Sequence, residues 1–129
     1  MLRKMSIALS SVAIALLLSD CASDLNRKEM QMHFSAAQHY DLAGDYASAR
    51  EQYWKALVDA RLAGASPAMV SMLTYNFGRT TGYTCHFDEA EKYLTEALEM
   101  EKNISGPDSG ISTKRIFGAG QAIFPPRAI

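Results

Sequence analysis

The sequence has few of the residues and motifs on which enzyme and metal sites usually depend. Its 129 residues include only two cysteines, Cys21 and Cys85, which excludes a disulfide framework and leaves at most one bridge between them. It has no glycine-rich phosphate loop, no His-Glu-x-x-His zinc motif, and no nucleophile patterned with a histidine and a carboxylate. We therefore predict a protein that is not an enzyme and that uses no cofactor.

The chain also lacks an excess of charge of one sign. Its 13 Lys and Arg residues and 14 Asp and Glu residues give a net charge of -1, and the two signs are interleaved. A nucleic-acid-binding surface needs clustered positive charge, so we expect no DNA or RNA partner. The glutamates between Glu89 and Glu101 are most simply a solvated helix face.

No apolar run is long enough for a membrane span, but a shorter one lies at the N-terminus. Arg3 and Lys4 precede residues 5–18, which are apolar apart from serines. A membrane-spanning helix needs about 20 apolar residues, whereas a basic start followed by a shorter apolar run is typical of a signal peptide. We predict that residues 1–20 are a cleaved signal peptide and that the protein is exported.

The residues around Cys21 leave two forms of the mature protein open. Residues 18–21 resemble the lipobox of bacterial lipoproteins, although Asp20 stands where that family has a small residue. The resemblance implies that Cys21 is lipidated and anchors the protein to a membrane. Ala22, the next residue, then implies the outer membrane of a bacterial envelope, on its periplasmic side. The alternative is ordinary cleavage slightly further on, which releases a soluble periplasmic chain that begins near Asp24.

Apolar residues at intervals of three and four predict four amphipathic helices after the signal. Asp24, Asp45 and Ser66 are expected N-caps, while Gly44 and Gly64 should end the helices before them. The predicted helices cover residues 24–43, 46–63, 67–84 and 87–102. The residues expected on their buried faces are Met30, Phe34, Ala37, Tyr40, Tyr46, Ala49, Tyr53, Ala56, Leu57, Ala60, Met69, Val70, Leu73, Phe77, Gly78, Phe87, Ala90, Leu94, Ala97 and Leu98.

Part of this pattern occurs twice, at a constant offset of 41 residues. The aligned pairs are Tyr46 with Phe87, Ala49 with Ala90, Ala56 with Ala97, and Leu57 with Leu98. A constant period of 20 to 50 residues indicates a solenoid of stacked repeats. Alanine or glycine at the expected helix crossings would let the helices pack closely in antiparallel pairs.

Small and aromatic residues dominate both copies. They are Ala36, Ala37, Tyr40, Gly44, Asp45, Tyr46, Ala49, Tyr53, Ala56 and Leu57 in the first, and Phe77, Gly78, Phe87, Ala90, Leu94, Ala97 and Leu98 in the second. This pattern resembles the tetratricopeptide repeat, although Cys85 and His86 replace its usual Gly-Asp turn. The long period and the Ser-Gly-Pro-Asp loop at 105–108 resemble the extended kinesin-light-chain-like variety. The resemblance implies an all-α fold in which antiparallel helix-turn-helix repeats stack as a short right-handed α-solenoid, with two helix pairs in residues 24–103.

In that family the first helix of each repeat lines a concave groove that binds a peptide or helix of a partner. The resemblance implies a groove lined by Gln31, Phe34, Gln38, Asp41, Tyr75, Arg79 and Tyr83. The alternative for the aromatic members of this set is simple packing in the core or at its edge. The expected function is a non-catalytic adaptor of the bacterial cell envelope that binds a partner protein, whose identity the sequence does not indicate.

A second hypothesis is a periplasmic metal-handling protein. Met30, Met32 and His33 lie close together near the mature N-terminus, and thioether and imidazole ligands suit copper. Methionines at helical spacing are more often core residues.

Residues 104–129 support a third hypothesis. They predict a loop, a partial fifth helix from Ile111 and an irregular tail weakened by Gly118 and Gly120. A stacked array needs about three repeats and a polar end, so this pattern suggests a truncated fragment of a longer array. Alternatively, the tail packs on the last helix, or a partner or a second copy covers the apolar uncapped end.

Overall fold

The computed structural model describes residues 2–106, with side chains from residue 21 onward. This part of the chain forms four helices and no strand: α1 (Leu2–Leu42), α2 (Tyr46–Leu62), α3 (Pro67–Tyr83) and α4 (Phe87–Ser105). The all-α prediction is therefore confirmed. Within the same residues, no helix is both long and apolar enough to cross a membrane. The predictions for the tail at 107–129 lie outside the described residues.

The predicted N-cap at Asp24 is wrong, because α1 runs without interruption from Leu2 through Leu42. Neither proline nor glycine occurs anywhere in this helix, so nothing in its sequence breaks the backbone hydrogen bonds. Asp24 is an exposed residue in the interior of the helix.

The first two turns form as predicted. Gly44 has φ +77, a left-handed conformation that glycine adopts without strain, and Asp45 accepts a hydrogen bond from the Ser48 amide at 3.1 Å. Ser66 accepts one from the Met69 amide at 3.3 Å, and Pro67 occupies the first turn of α3. These local signals place the starts of α2 and α3.

The third turn differs from the first in its chemistry. Cys85 takes the left-handed position with φ +65, and His86 is the N-cap of α4 without a side-chain capping bond. Gly82, near the end of α3, is a buried residue within the helix. The turn therefore keeps the shape of the first while lacking its two favourable residues.

Each helix packs against the next along the chain. The short turns make α1 and α2 one antiparallel pair and α3 and α4 another, and α2 packing on α3 joins the two pairs as in a short helical solenoid. Fully buried alanines lie at the crossings, and larger side chains fill the space between them. The buried apolar residues include Met30, Ala37, Ala49, Tyr53, Ala56, Leu57, Ala60, Leu73, Phe77, Ala90, Leu94 and Ala97.

Gly78 on α3 lies close against Leu94 of α4. A Cβ at this position would lie 3.1 Å from both the backbone nitrogen and the Cγ of Leu94. Any larger side chain would push the two helices apart. The close packing of α3 on α4 therefore requires glycine at position 78.

Two predicted core residues lie at the surface. Tyr40 is 37% exposed and Phe87 is 48% exposed. Tyr40 is on α1, which packs chiefly against one other helix, so only one of its faces is covered. Phe87 is the first residue of α4, where the following turns of the helix do not yet surround it.

The middle helix α3 buries polar residues that the apolar pattern does not reveal. Thr74 and Thr80 donate to the carbonyls of Val70 and Asn76, each at 2.8 Å. Both threonines are inaccessible to solvent. These hydrogen bonds satisfy the hydroxyls within the helix, so α3 can pack against α2 and α4 without apolar residues at every buried position.

Candidate partner-binding face on helices α1 and α3

Two of the predicted groove residues, Asp41 at the end of α1 and Arg79 on α3, form an ion pair. Arg79 donates from its guanidinium to the carboxylate of Asp41, and the Tyr53 hydroxyl from α2 donates to the same carboxylate oxygen at 3.1 Å. The Asp41 and Arg79 side chains are only 15% and 19% exposed. This ion pair links the first helices of the two pairs.

Two members of this cluster, Arg79 and Tyr53, have raised pKa values. Burial works to lower the pKa of Arg79, but the hydrogen bond and the negative charge of Asp41 outweigh it, so that pKa is raised. Burial, reinforced by the Asp41 charge, raises the pKa of Tyr53 to about 12. The arginine is therefore charged and the phenol neutral over the physiological pH range.

Tyr83 lies beside Arg79 on the solvent-exposed side of the cluster. Its ring stacks on Tyr46 with centroids 4.4 Å apart, and the Arg79 guanidinium lies 5.6 Å from the Tyr83 centroid. The residue remains 38% exposed. Nearby on α3, Tyr75 is half-buried, and burial raises its pKa. The result is a partly exposed surface of aromatic rings around a neutralised ion pair.

The remaining predicted groove residues divide into two groups. Gln31 and Gln38 are exposed on α1, and their spacing of seven residues places them on one face two turns apart. Phe34 is partly buried against the core, with its ring centroid 6.2 Å from that of Tyr53. Phe34 thus packs in the core, in agreement with the alternative weighed for it.

A second cluster, on the other side of α2, is absent from the sequence predictions. A cleft of about 380 Å³ is lined by Ala47, Arg50, Glu51, Trp54, Phe77 and Glu89. Trp54 is 39% exposed, and its ring lies 5.1 Å from Phe77 and 6.1 Å from Tyr93. The feature of the sequence that could have indicated this cleft is the pair Arg50 and Trp54, which are four residues apart and lie beside the buried alanines of α2. The cleft shows that α2 contacts neighbouring helices on two of its sides.

The glutamates of α4 are not simply solvated. Glu89 accepts from Arg50 at 2.6 Å, and Glu96 accepts from Arg61 at 2.8 Å. Both bonds join α2 to α4, so the prediction of a purely solvated face is wrong for these two residues.

Glu101 is the third glutamate of α4 with a partner on another helix. Its carboxylate accepts from the Ser71 hydroxyl at 2.9 Å. This bond joins α3 to α4 within the second pair.

The residues of the metal hypothesis do not converge. Met30 is 6% exposed in the core, while Met32 is 60% exposed. His33 lies between them in sequence, with Nδ1 2.8 Å from the Gln52 side-chain oxygen and Nε2 3.9 Å from an Asp59 oxygen. Among the described residues, no group of three or more His, Cys, Asp or Glu side chains is arranged to hold a metal ion.

The two cysteines lie in different elements of the fold. Cys21 lies in α1 and Cys85 in the turn before α4, and both are exposed free thiols. The bridge between them that the sequence allowed is not formed.

No protein-family model, curated protein or solved structure matches this chain.

Proposed function

We propose that this protein is a non-catalytic adaptor of the bacterial cell envelope that binds a peptide or helix of a partner protein. The proposed binding surface, here the α1/α3 face, consists of Gln31, Gln38, Asp41, Tyr75, Arg79 and Tyr83. The observation that carries the proposal is the Asp41–Arg79 ion pair, flanked by Tyr83. It holds the first helices of two consecutive pairs together, as the tetratricopeptide resemblance implies.

The chemistry of the α1/α3 face suits a polar, uncharged segment of a partner. The exposed amides of Gln31 and Gln38 can both donate to and accept from a peptide backbone. Arg79 has more donors than its bond to Asp41 uses, but its charge is balanced by that carboxylate. Tyrosine and arginine are also enriched at protein interfaces. A strongly charged ligand would gain little here.

The envelope location is part of the proposal and has its own test. Cys21 is exposed near the start of the described side chains, and Gln31 follows ten residues later on the same helix. At a rise of about 1.5 Å per residue, lipidation of Cys21 would hold the Gln31 end of the α1/α3 face about 15 Å from the anchor. The intact mass of the mature protein tests this: Cys21 as first residue plus acyl chains supports an anchor, and an unmodified chain starting near Asp24 contradicts it.

Site-specific photo-crosslinking in native cells tests the binding face. A photoreactive amino acid at Gln38 should give one discrete adduct with a partner. The matched control is the same amino acid at Thr95, an exposed residue on α4 away from α1. An adduct of equal yield from Thr95, or none from Gln38 while the folded protein is present, would contradict the proposal.

A charge substitution adds specificity to this test. Gln31→Glu in the Gln38 crosslinking protein should reduce the adduct, because an unpaired carboxylate must then be desolvated by the partner. Lys55→Gln changes the charge equally at an exposed site on α2 and should leave the adduct unchanged. Circular dichroism of both variants checks that the helices are intact.

A further inference from the structure

The second helix pair has a large groove on its outer side. Its volume is about 880 Å³, and its lining comes from α3, α4 and Ser66, the residue before α3. Met72 and Tyr75 contribute from α3, and Ala97 and Ile104 from α4. We refer to this surface as the end groove. Within residues 2–106, no other helix covers it.

The groove combines apolar side chains with one carboxylate. Ile104 is 43% exposed, an unfavourable position for a large apolar residue. Glu101 also lines the groove, where Ser71 holds its carboxylate by a 2.9 Å hydrogen bond. A segment that fits the groove should therefore present apolar side chains together with a basic group.

We propose that residues 111–117 of this same chain bind in the end groove. The chain leaves α4 at the groove itself, since Ser105 is part of the lining and Gly106 then turns the chain with φ +84. Only residues 107–110 separate Gly106 from this segment. At about 3.3 to 3.6 Å per residue, they can span roughly 15 Å, enough to reverse the direction of the chain.

The chemistry of the segment matches that of the groove. Residues 111–117 supply Ile111, Ile116 and Phe117 for the apolar lining, and Lys114 and Arg115 for the carboxylate of the groove. Their positive charge complements Glu101, the one acidic residue among the described residues of the lining. The end groove shares Tyr75 with the α1/α3 face but none of the other five residues of that face, and the proposal does not depend on the proposed function.

A tethered segment also has an advantage over a second copy of the protein. A short link gives an effective concentration in the millimolar range, far above the concentration of free protein in an ordinary assay. The intramolecular arrangement should therefore fill the groove first, and the protein should remain monomeric.

Cysteine reactivity at Ile104 tests the proposal. In the full chain with Cys21→Ser and Cys85→Ser, Ile104→Cys places the only thiol in the end groove. A second protein carries Leu42→Cys instead, at a 91% exposed residue at the end of α1. We expect the thiol at 104 to react with a maleimide about tenfold more slowly than the thiol at 42, because it reacts only when the segment opens.

The tail offers a matched control, because Ile-Phe occurs twice, at 116–117 and at 123–124. Ile116→Glu with Phe117→Glu should abolish the protection at 104, whereas Ile123→Glu with Phe124→Glu should leave it intact. Neither change should alter the reactivity at 42. If Ile104→Cys disturbs folding, Met72→Cys reports on the same groove.

Three results would overturn the proposal. The first is equal reactivity at 104 and 42 in the otherwise unchanged full chain. The second is equal loss of protection from the two Ile-Phe substitutions. The third is protection that fades on dilution together with the mass of a dimer, which would identify a second copy of the protein as the occupant.

Discussion

The cluster of Asp41, Tyr53 and Arg79 shows how single residues connect helices that are distant in sequence. Removing charges from water is costly, and a buried pair stabilises a fold only when its hydrogen bonds are well satisfied. Here Asp41 accepts from both Arg79 and Tyr53. Its partners come from α2 and α3, so the pair specifies how the second helix pair sits on the first.

Arg79→Met should destabilise the protein by about 2 kcal/mol. It leaves the Asp41 carboxylate largely buried with Tyr53 as its remaining partner, and hydrogen bonds to charged groups contribute about 1.5 to 3 kcal/mol. Urea unfolding measures the change. In the double variant with Asp41→Asn the loss should be less than the sum of the two single losses, and simple additivity would show that the pair is not coupled.

Because the pKa of Tyr53 is raised in the folded protein, we expect the protein to lose stability at alkaline pH. The folded-state pKa of about 12 lies above the ordinary value of 10.0, so the unfolded chain gives up this proton first. The contribution is fully present below pH 10 and is lost as pH rises toward 12. Unfolding free energies across this range, compared with those of Tyr53→Phe, measure it. An identical pH dependence in the two proteins would rule out this role for Tyr53.

At the scale of the helices, the turns within the two pairs have the same backbone shape but different chemistry. The first turn has Gly44 in the left-handed position and Asp45 as a hydrogen-bonded N-cap. The third places Cys85 in the left-handed position and His86 at the uncapped start of α4. Side chains are disfavoured in that conformation, so the third turn carries a local cost that the first avoids.

Converting the third turn to the chemistry of the first should stabilise the protein. Cys85→Gly relieves the left-handed side chain, and His86→Asp supplies a cap that accepts from an amide in the first turn of α4. Each change should add about 1 kcal/mol, measured as a rise in the free energy of unfolding. The mirror change Asp45→Ala should lower it by about the same amount. If His86→Asp left the free energy of unfolding unchanged, repulsion from the Asp88 and Glu89 charges would be offsetting the new cap.

The whole molecule is held together by contacts that cross from one pair to the other. Arg50 reaches Glu89 and Arg61 reaches Glu96, both from α2 to α4. The Arg61–Glu96 pair is too exposed to contribute much, so the stronger links are the largely buried Asp41–Arg79 pair and the apolar contact of α2 with α3. Trp54 belongs to this contact, because it lies in α2 but packs against Phe77.

Trp54, the single tryptophan of the chain, makes this coupling measurable. If the two pairs unfold as one unit, thermal unfolding followed by tryptophan fluorescence should coincide with that followed by helical circular dichroism. An earlier fluorescence transition would show that the second pair separates from α2 before the helices melt. Leu42→Ala, at a 91% exposed position at the end of α1, is a control that should leave the two transitions together.

Much of the fold could be predicted from local signals. The left-handed glycines, the caps at Asp45 and Ser66 and the proline at Pro67 act within a few residues of each helix end. The residues of the candidate binding face were harder to predict from the sequence. Asp41, Arg79 and Tyr83 were identified only through a family resemblance, and Trp54 was missed because a helix packed on two sides does not show one clean apolar stripe.

The sequence by itself determined where the described helices break and which small residues form their crossings, since both depend on short-range geometry. The tertiary structure decided which charged side chains meet. Asp41 and Arg79 are 38 residues apart and Arg50 and Glu89 are 39 apart, so these pairs exist only after one helix pair stacks on the other. That stacking depends on burial summed over whole helices, which no local pattern specifies.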